Sequence, residues 1–256
     1  LETAAISLQR QLKKAKSRML ERFLKQTTFE SYEDFMQNYE VRIPAHFNFA
    51  YDVIDAWAET NPTKRAMLWT NEDGEERTFS FHDLKAYSDR TASYFQSIGI
   101  GKGDVVMLIL KRRYEWWMSM LALHKLGAIA VPATHLLRKH DIEYRCNAAS
   151  IHTIVACGDK DIIRNVEAAK TYCPTLKNLV SIGEIIPDGW KDFQQGIAQA
   201  TSFTRPERNN STDTMLMYFT SGTTGEPKMV CHDFTYPLGH IITGSYWHNL
   251  SEDSLH

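Results

Sequence analysis

Short runs dominated by apolar residues alternate with segments of helical pattern through the middle of this chain, and that alternation restricts the fold more than any other feature. Val105–Leu110, Ala128–Pro132, Thr153–Ala156 and Asn178–Ile182 read as strands, and Glu115–Leu126, Lys139–Ala148 and Ile162–Tyr172 read as the helices between them. A strand without a polar alternate face has both faces covered, which happens when crossover helices pack on both sides of a parallel sheet. Right-handed crossovers follow by default. The expectation is an α/β fold with a mostly parallel sheet flanked by helices.

Simpler units flank this rhythm. Tyr51–Glu59 is helical in pattern and stops at Thr60-Asn61-Pro62. Ala66–Thr70 and Glu75–Phe79 enclose Asn71-Glu72-Asp73-Gly74 and predict a hairpin. Ser80, with Asp83 three residues on, predicts the N-cap of a helix reaching Ser97. Trp190–Ala200 reads as a helix, Ser202–Asp213 as a polar connector, and Pro237–Leu250 as the start of a further helix. Phe29–Phe35 reads as an aromatic, polar stretch and Ile43–Phe49 as extended chain.

The N-terminal stretch is strongly basic. Arg10, Lys13, Lys14, Lys16, Arg18, Arg22 and Lys25 face a single acid, Glu21, while Leu8, Leu12, Ala15, Met19 and Phe23 recur at helical spacing. This fits a basic amphipathic helix, either docked with a solvated basic face or serving as an organellar targeting segment. The domain expectation is an N-terminal helix and arm over residues 1–45, followed by an incomplete domain over 46–256.

Function is carried by Tyr218-Phe219-Thr220-Ser221-Gly222-Thr223-Thr224-Gly225-Glu226-Pro227-Lys228, which follows the apolar run Met215–Phe219 and precedes the strand-like Met229–Phe234. A strand leading into a loop of hydroxyls and glycines is suited to phosphate. Small residues let backbone N–H groups approach oxygen, hydroxyls donate further bonds, and a lysine adds a mobile positive charge. The nucleotide loop G-x-x-x-x-G-K-[ST] does not fit: Gly222 and Lys228 have the right offset, but Pro227 stands where the second glycine belongs and Met229 where the magnesium-binding hydroxyl belongs.

The segment resembles instead the phosphate loop of the adenylate-forming enzymes, an aromatic residue followed by T-S-G-[ST]-T-G-x-P-K. Weaker matches precede it in the family's order. Thr78–Leu84 resembles the early T-[FY]-x-[ED]-L entry, Ile98–Val106 the G-[VI]-x-x-G-D-x-V turn, and Gly127–Pro132 the G-A-[VI]-x-x-P strand. The resemblance runs from about residue 50 to the end of the sequence. His232, four residues after Lys228, resembles the acetyl- and medium-chain acyl-CoA synthetase branch, where a histidine at this offset lies beside the acyl channel. The luciferase and coumarate-ligase branch has its histidine two residues later, where Phe234 stands.

The resemblance implies a two-step reaction. A carboxylate attacks the α-phosphate of ATP to give an acyl-adenylate, and coenzyme A then displaces AMP. It implies Thr220, Ser221, Gly222, Thr223, Thr224, Gly225 and Lys228 as the phosphate-binding set, with Lys228 catalytic, His232 in the substrate channel, and no protein ligand for Mg²⁺, which bridges phosphates while keeping its own waters. Glu226 is expected to be a solvated loop acid. The family's adenine- and ribose-binding motifs and its mobile C-terminal domain with a second lysine lie beyond the loop, so the chain is expected to be an N-terminal portion without turnover of its own.

Bulk composition is compatible with that reading. Hydrophobic content of 43%, charged content of 23% and a net charge of −2 suit a soluble globular protein and give no general attraction for nucleic acid or anionic membrane. Cys146, Cys157, Cys173 and Cys231 form no C-x-x-C pair and are expected to be structural, in a reducing compartment that is cytoplasmic or the mitochondrial matrix. Lys111-Arg112-Arg113 reads as a solvated basic turn or an approach to CoA phosphates, Trp116–Met120 as core, and Trp247 with Gly239–Gly244 as packing residues near a channel. A ligase for an aryl or amino acid, and a non-catalytic nucleotide-binding or interaction module, remain alternatives.

Overall fold

The computed structural model describes residues 19–221 and 225–254; most of the basic N-terminal segment and the loop residues Gly222, Thr223 and Thr224 lie outside them. The chain divides into two compact units, one drawn from Leu1–Phe47 and Thr235–His256, the other Asn48–Phe234.

In the smaller unit a 3-10 turn at Leu20–Arg22 leads to an isolated antiparallel bridge between Leu24 and Val41. Helix α1 (Tyr32–Asn38) begins within the aromatic, polar stretch Phe29–Phe35, where no helix is expected. Ser31 caps it, accepting from the Asp34 amide at 3.1 Å, so an S-x-x-D signal was there to be read. Phe29, Phe35 and Tyr39 form an aromatic cluster with Tyr246, whose ring centroid lies 5.2 Å from that of Phe35. The helix expected over Pro237–Leu250 is broken into a four-residue helix, Tyr236–Gly239, and a π-turn, Thr243–Trp247. Trp247, expected to pack, is 83% exposed.

The larger unit opens with a π-turn, Ala50–Asp55, running into α2 (Ala56–Thr60). The hairpin follows as β1 (Arg65–Thr70) and β2 (Glu76–Ser80). Helix α3 (Phe81–Ser97) begins at the expected capping box: Ser80 Oγ accepts from the Asp83 amide at 3.1 Å, and Asp83 Oδ2 accepts from the Ser80 amide at 2.9 Å. Then come β3 (Val105–Ile109), α4 (Glu115–Leu126), β4 (Ile129–Pro132), α5 (Lys139–Ala148), β5 (Thr153–Cys157), α6 (Lys160–Lys170) and β6 (Asn178–Ile182). Of the helix expected over Trp190–Ala200, the first residues form a two-residue strand, β7 (Lys191–Asp192), and α7 (Phe193–Gln199) follows with Asp192 as its cap. The unit closes with β8 (Thr214–Thr220) and β9 (Lys228–Asp233).

The seven-stranded sheet has the order β7-β6-β5-β3-β4-β8-β9, parallel at every pairing except the antiparallel β8–β9. From β3 the chain steps to β4 on one side and then back across to β5 on the other. Right-handed crossovers therefore put α4 on one face and α5 on the opposite one. Packing agrees: α3 lies against α4 and α7, and α5 against α6. This reversal opens a crevice at the carboxyl ends of the central strands, where open α/β sheets bind ligands.

The centre is dry. All five residues of β3 and of β5 are buried. Beside it lies a charged knot. Lys125, with no exposed side-chain surface, places Nζ 2.9 Å from Asp55 Oδ1 and 2.5 Å from Asp89 Oδ1. Asp89 also binds Lys85 at 2.7 Å. Burial pushes the Asp55 carboxyl above its ordinary range, with the Lys125 ammonium pulling the other way.

Candidate functional site

The loop predicted to hold phosphate joins β8 to β9, whose register runs from Thr214↔Asp233 to Thr220↔Lys228. Because β8 is parallel to β4, the loop emerges at the carboxyl end of the parallel strands, on the side of the crevice. Antiparallel pairing brings the two ends of the motif together: Thr220 Oγ1 donates to the Lys228 carbonyl at 3.3 Å. Thr220, Ser221, Gly225 and Lys228 are all exposed. Gly225 has φ +96°, a left-handed conformation that suits glycine and strains other residues. Of the predicted set, Thr220, Ser221, Gly225 and Lys228 thus come together at one hairpin end, and Gly222, Thr223 and Thr224 lie outside the described residues.

Lys228 differs electrostatically from Lys111 and Arg113 at this edge of the sheet. In the Lys111-Arg112-Arg113 turn after β3, Lys111 binds Asp159 at 2.7 Å, and Arg113 grips the buried Glu115 through two bonds of 3.1 and 2.8 Å. The Arg112 carbonyl accepts from Trp69 Nε1 at 2.7 Å. The hydrogen bond from Lys111 holds the Asp159 carboxyl below its usual range. The charges of Lys111 and Arg113 are thus matched by carboxylates, while Arg112 is exposed. Lys228 has no salt-bridge partner among the described residues, so its ammonium is available to an anion.

His232 is half-buried in β9, opposite Leu216, with its ring 5.8 Å from that of Tyr218 at an interplanar angle of 73°. It shares a strand face with Lys228, since the two are an even number of residues apart. Four residues of extended chain separate them by about 13 Å. The two positions are therefore about one short strand apart and do not converge on one point.

Helix α5 lies against the returning end of the loop. Tyr144 Oη donates to the Pro227 carbonyl at 3.0 Å, and His140 Nε2 lies 3.1 Å from Glu226 Oε1. The Arg145 guanidinium lies 5.2 Å from the centre of the Phe219 ring. Glu226 is exposed, as expected of a loop acid, but is paired with this histidine rather than only with solvent. The i, i+4 spacing of His140 and Tyr144 was visible in the sequence, yet nothing there linked them to a loop more than eighty residues later.

The remaining candidates separate by burial. Cys146, Cys157 and Cys173 are buried, and burial raises the thiols of Cys146 and Cys157, the latter to about 11 despite Arg113 and Lys111 nearby. That suits structural thiols. Cys231 departs from the expectation: it sits exposed on the edge strand β9. Met118 and Met120 are core as expected, whereas Trp117 is 51% exposed.

Comparison with known proteins identifies the family and the fold. A family model described as AMP-binding enzyme matches residues 54–253. The chain is 32% identical over 220 residues to the rat mitochondrial acyl-coenzyme A synthetase ACSM5, covering 83% of this chain and 38% of the relative. It is 31% identical over 231 residues to human mitochondrial acyl-coenzyme A synthetase ACSM3, covering 87% and 39%. The chain thus spans under half the length of these curated relatives. Among solved structures, the anthranilate CoA ligase AuaEII in complex with anthranoyl-AMP superposes with a TM-score of 0.69 at 24% identity, covering 80% of this chain and 38% of that one, which shows the fold. Among the described residues no helix is long and apolar enough to cross a membrane.

Proposed function

Because this chain belongs to the AMP-binding enzyme family, we propose that it supplies the triphosphate-binding part of an AMP-forming acyl-CoA synthetase. The observation that carries the proposal is the β8–β9 hairpin end, where exposed Thr220 and Ser221, the left-handed Gly225 and Lys228, without a salt bridge among the described residues, stand at the carboxyl edge of the parallel strands. Attack of a carboxylate on the α-phosphate brings two anions together, so the protein's task is to neutralise and orient the triphosphate. Ser221 and the Gly225 amide donate hydrogen bonds to phosphate oxygens, as do Gly222, Thr223 and Thr224 on the strength of the sequence motif, while Thr220, whose hydroxyl proton goes to the Lys228 carbonyl, braces the hairpin end that presents them. Lys228 contributes the point charge.

Magnesium fits this arrangement as a partner of the phosphates. Magnesium keeps several of its waters and takes oxygen ligands, so the triphosphate itself would supply the other donors. When bound, it would draw negative charge from the triphosphate. His232, displaced along β9 by about 13 Å, is assigned to the acyl side of the site. The names of the acyl-coenzyme A synthetase relatives support an acyl acid and coenzyme A as the other substrates and a mitochondrial location, and the His232 spacing in the sequence supports an acid of short or medium length.

Titration calorimetry of this chain with MgATP tests the loop. Binding by the wild type and a loss of at least tenfold in affinity for Lys228→Ala, with unchanged circular dichroism, is the expected result. Equal affinity in the two proteins would refute the phosphate role. ATP–pyrophosphate exchange with octanoate, acetate and benzoate, run on a protein extended to the length of the relatives, tests the reaction: octanoate-dependent exchange supports the acyl reading, and exchange with benzoate alone moves the proposal to an aryl acid. Exchange by residues 1–256 alone would overturn the expectation that adenylation needs further residues.

A further inference from the structure

We propose that Tyr144 is a positioning residue for the phosphate loop, and that helix α5 serves as the loop's anchor. This rests on reading Thr220–Lys228 as a phosphate site. The Tyr144 hydroxyl donates to the carbonyl of Pro227 at 3.0 Å. That carbonyl belongs to the same planar peptide as the Lys228 N–H, so holding it sets the plane from which Lys228 departs. The next carbonyl, that of Lys228 itself, is held from the other strand by Thr220 Oγ1 at 3.3 Å. Pro227 has its φ fixed by its ring. Two consecutive peptide planes around the lysine are therefore fixed from opposite sides, one by β8 and one by α5.

The other contacts from α5 are subsidiary. His140 and Glu226 are 74% and 49% exposed, and an ion pair in that setting is largely offset by solvent and side-chain entropy. Arg145 is tied to its own helix through the Asp141 carbonyl at 2.9 Å and meets the strand only at the Phe219 ring. The Tyr144 ring packs near Phe219 as well, with centroids 6.1 Å apart, which places its hydroxyl without freezing a long flexible side chain. A rigid tyrosine therefore orders the returning end of the loop before any ligand arrives. Order established in advance lowers the entropy that phosphate binding must overcome.

Tyr144→Phe keeps the ring and removes the donor. Amide hydrogen exchange at Gly225, Glu226 and Lys228 is expected to quicken about 3- to 10-fold, MgATP affinity to weaken by about the same factor, and the melting temperature to stay unchanged. His140→Ala, the control on the same helix face, is expected to change either quantity less than about 2-fold. If the wild type binds MgATP and Tyr144→Phe alters neither exchange nor affinity, the positioning role is refuted while the phosphate reading stands. If the wild type fails to bind MgATP, the phosphate reading falls and the positioning role falls with it.

Discussion

Strands β3 and β9 belong to one sheet and meet opposite conditions. Every residue of Val105–Ile109 is buried, paired on both sides by β4 and β5, whereas Lys228, Met229, Val230 and Cys231 are all exposed and only one side of β9 is paired. The central strand is held by apolar burial and by two ladders of hydrogen bonds. The edge strand is held by one ladder and by what α5 does for the loop. Stability accumulates where water is excluded, and groups that must meet a charged ligand stay where water is. The charges obey the same division. Lys125 is matched inside by Asp55 and Asp89, while the exposed Lys228 has no salt bridge among the described residues.

Substitutions on the buried side break this comparison most severely. Lys125→Ala leaves Asp55 and Asp89 facing each other without their shared cation, and a loss of about 3–5 kcal/mol in unfolding free energy is expected from denaturant titration. A loss under about 1 kcal/mol would mean that water or Lys85 already compensates these carboxylates.

Acid gives the next effect. His124 is buried, with neither ring nitrogen hydrogen-bonded to protein, and burial drives its pKa from 6.5 down to about 4. The folded state therefore prefers the neutral ring. Its contribution is intact above the unfolded-state value near 6.5 and is lost as pH falls toward 4. The gap corresponds to about 3 kcal/mol. His124→Phe should flatten the stability profile between those limits, and an unchanged profile would assign the acid sensitivity to other groups.

A smaller loss is expected at Gly196 in α7. A Cβ there would lie 2.2 Å from Tyr94 Cε2, and Tyr94 is itself 6% exposed and has little room to retreat. Gly196→Ala is expected to destabilise by about 1–3 kcal/mol, read from the melting curve. The smallest effect sharpens the comparison from its other side. Lys228→Ala should change stability by no more than about 0.5 kcal/mol while abolishing tight MgATP binding, because an exposed lysine at a strand edge contributes to ligand rather than to fold.

Periodicity served well wherever a segment's own residues settled its environment. Val105–Leu110, Glu115–Leu126 and Lys139–Ala148 match β3, α4 and α5 closely: the apolar run of β3 and the largely buried α4 are set by their own residues, and the buried Ile142 and Cys146 of α5 stand one helical turn apart. It served poorly near Trp190 and beyond Pro237. A two-residue strand such as β7 has no period to detect, and its pairing with β6 depends on a neighbour distant in sequence. The helical pattern after Pro237 did not reveal a π-turn at Thr243–Trp247. The buried knot of Asp55, Asp89 and Lys125 was equally silent, since three ordinary charges on three helical segments carry no mark of burial.

The sequence by itself determined the parallel α/β body and the residues of the phosphate motif, because both rest on local chemistry: apolar faces that must be covered, and hydroxyls, glycines and a lysine at fixed spacing. Only the tertiary structure decided what holds that motif. Antiparallel pairing joins Thr220 to Lys228, and α5 brings Tyr144 to the Pro227 carbonyl across 83 residues of chain. Contacts of that length follow from how the whole sheet is ordered, and no local pattern records them.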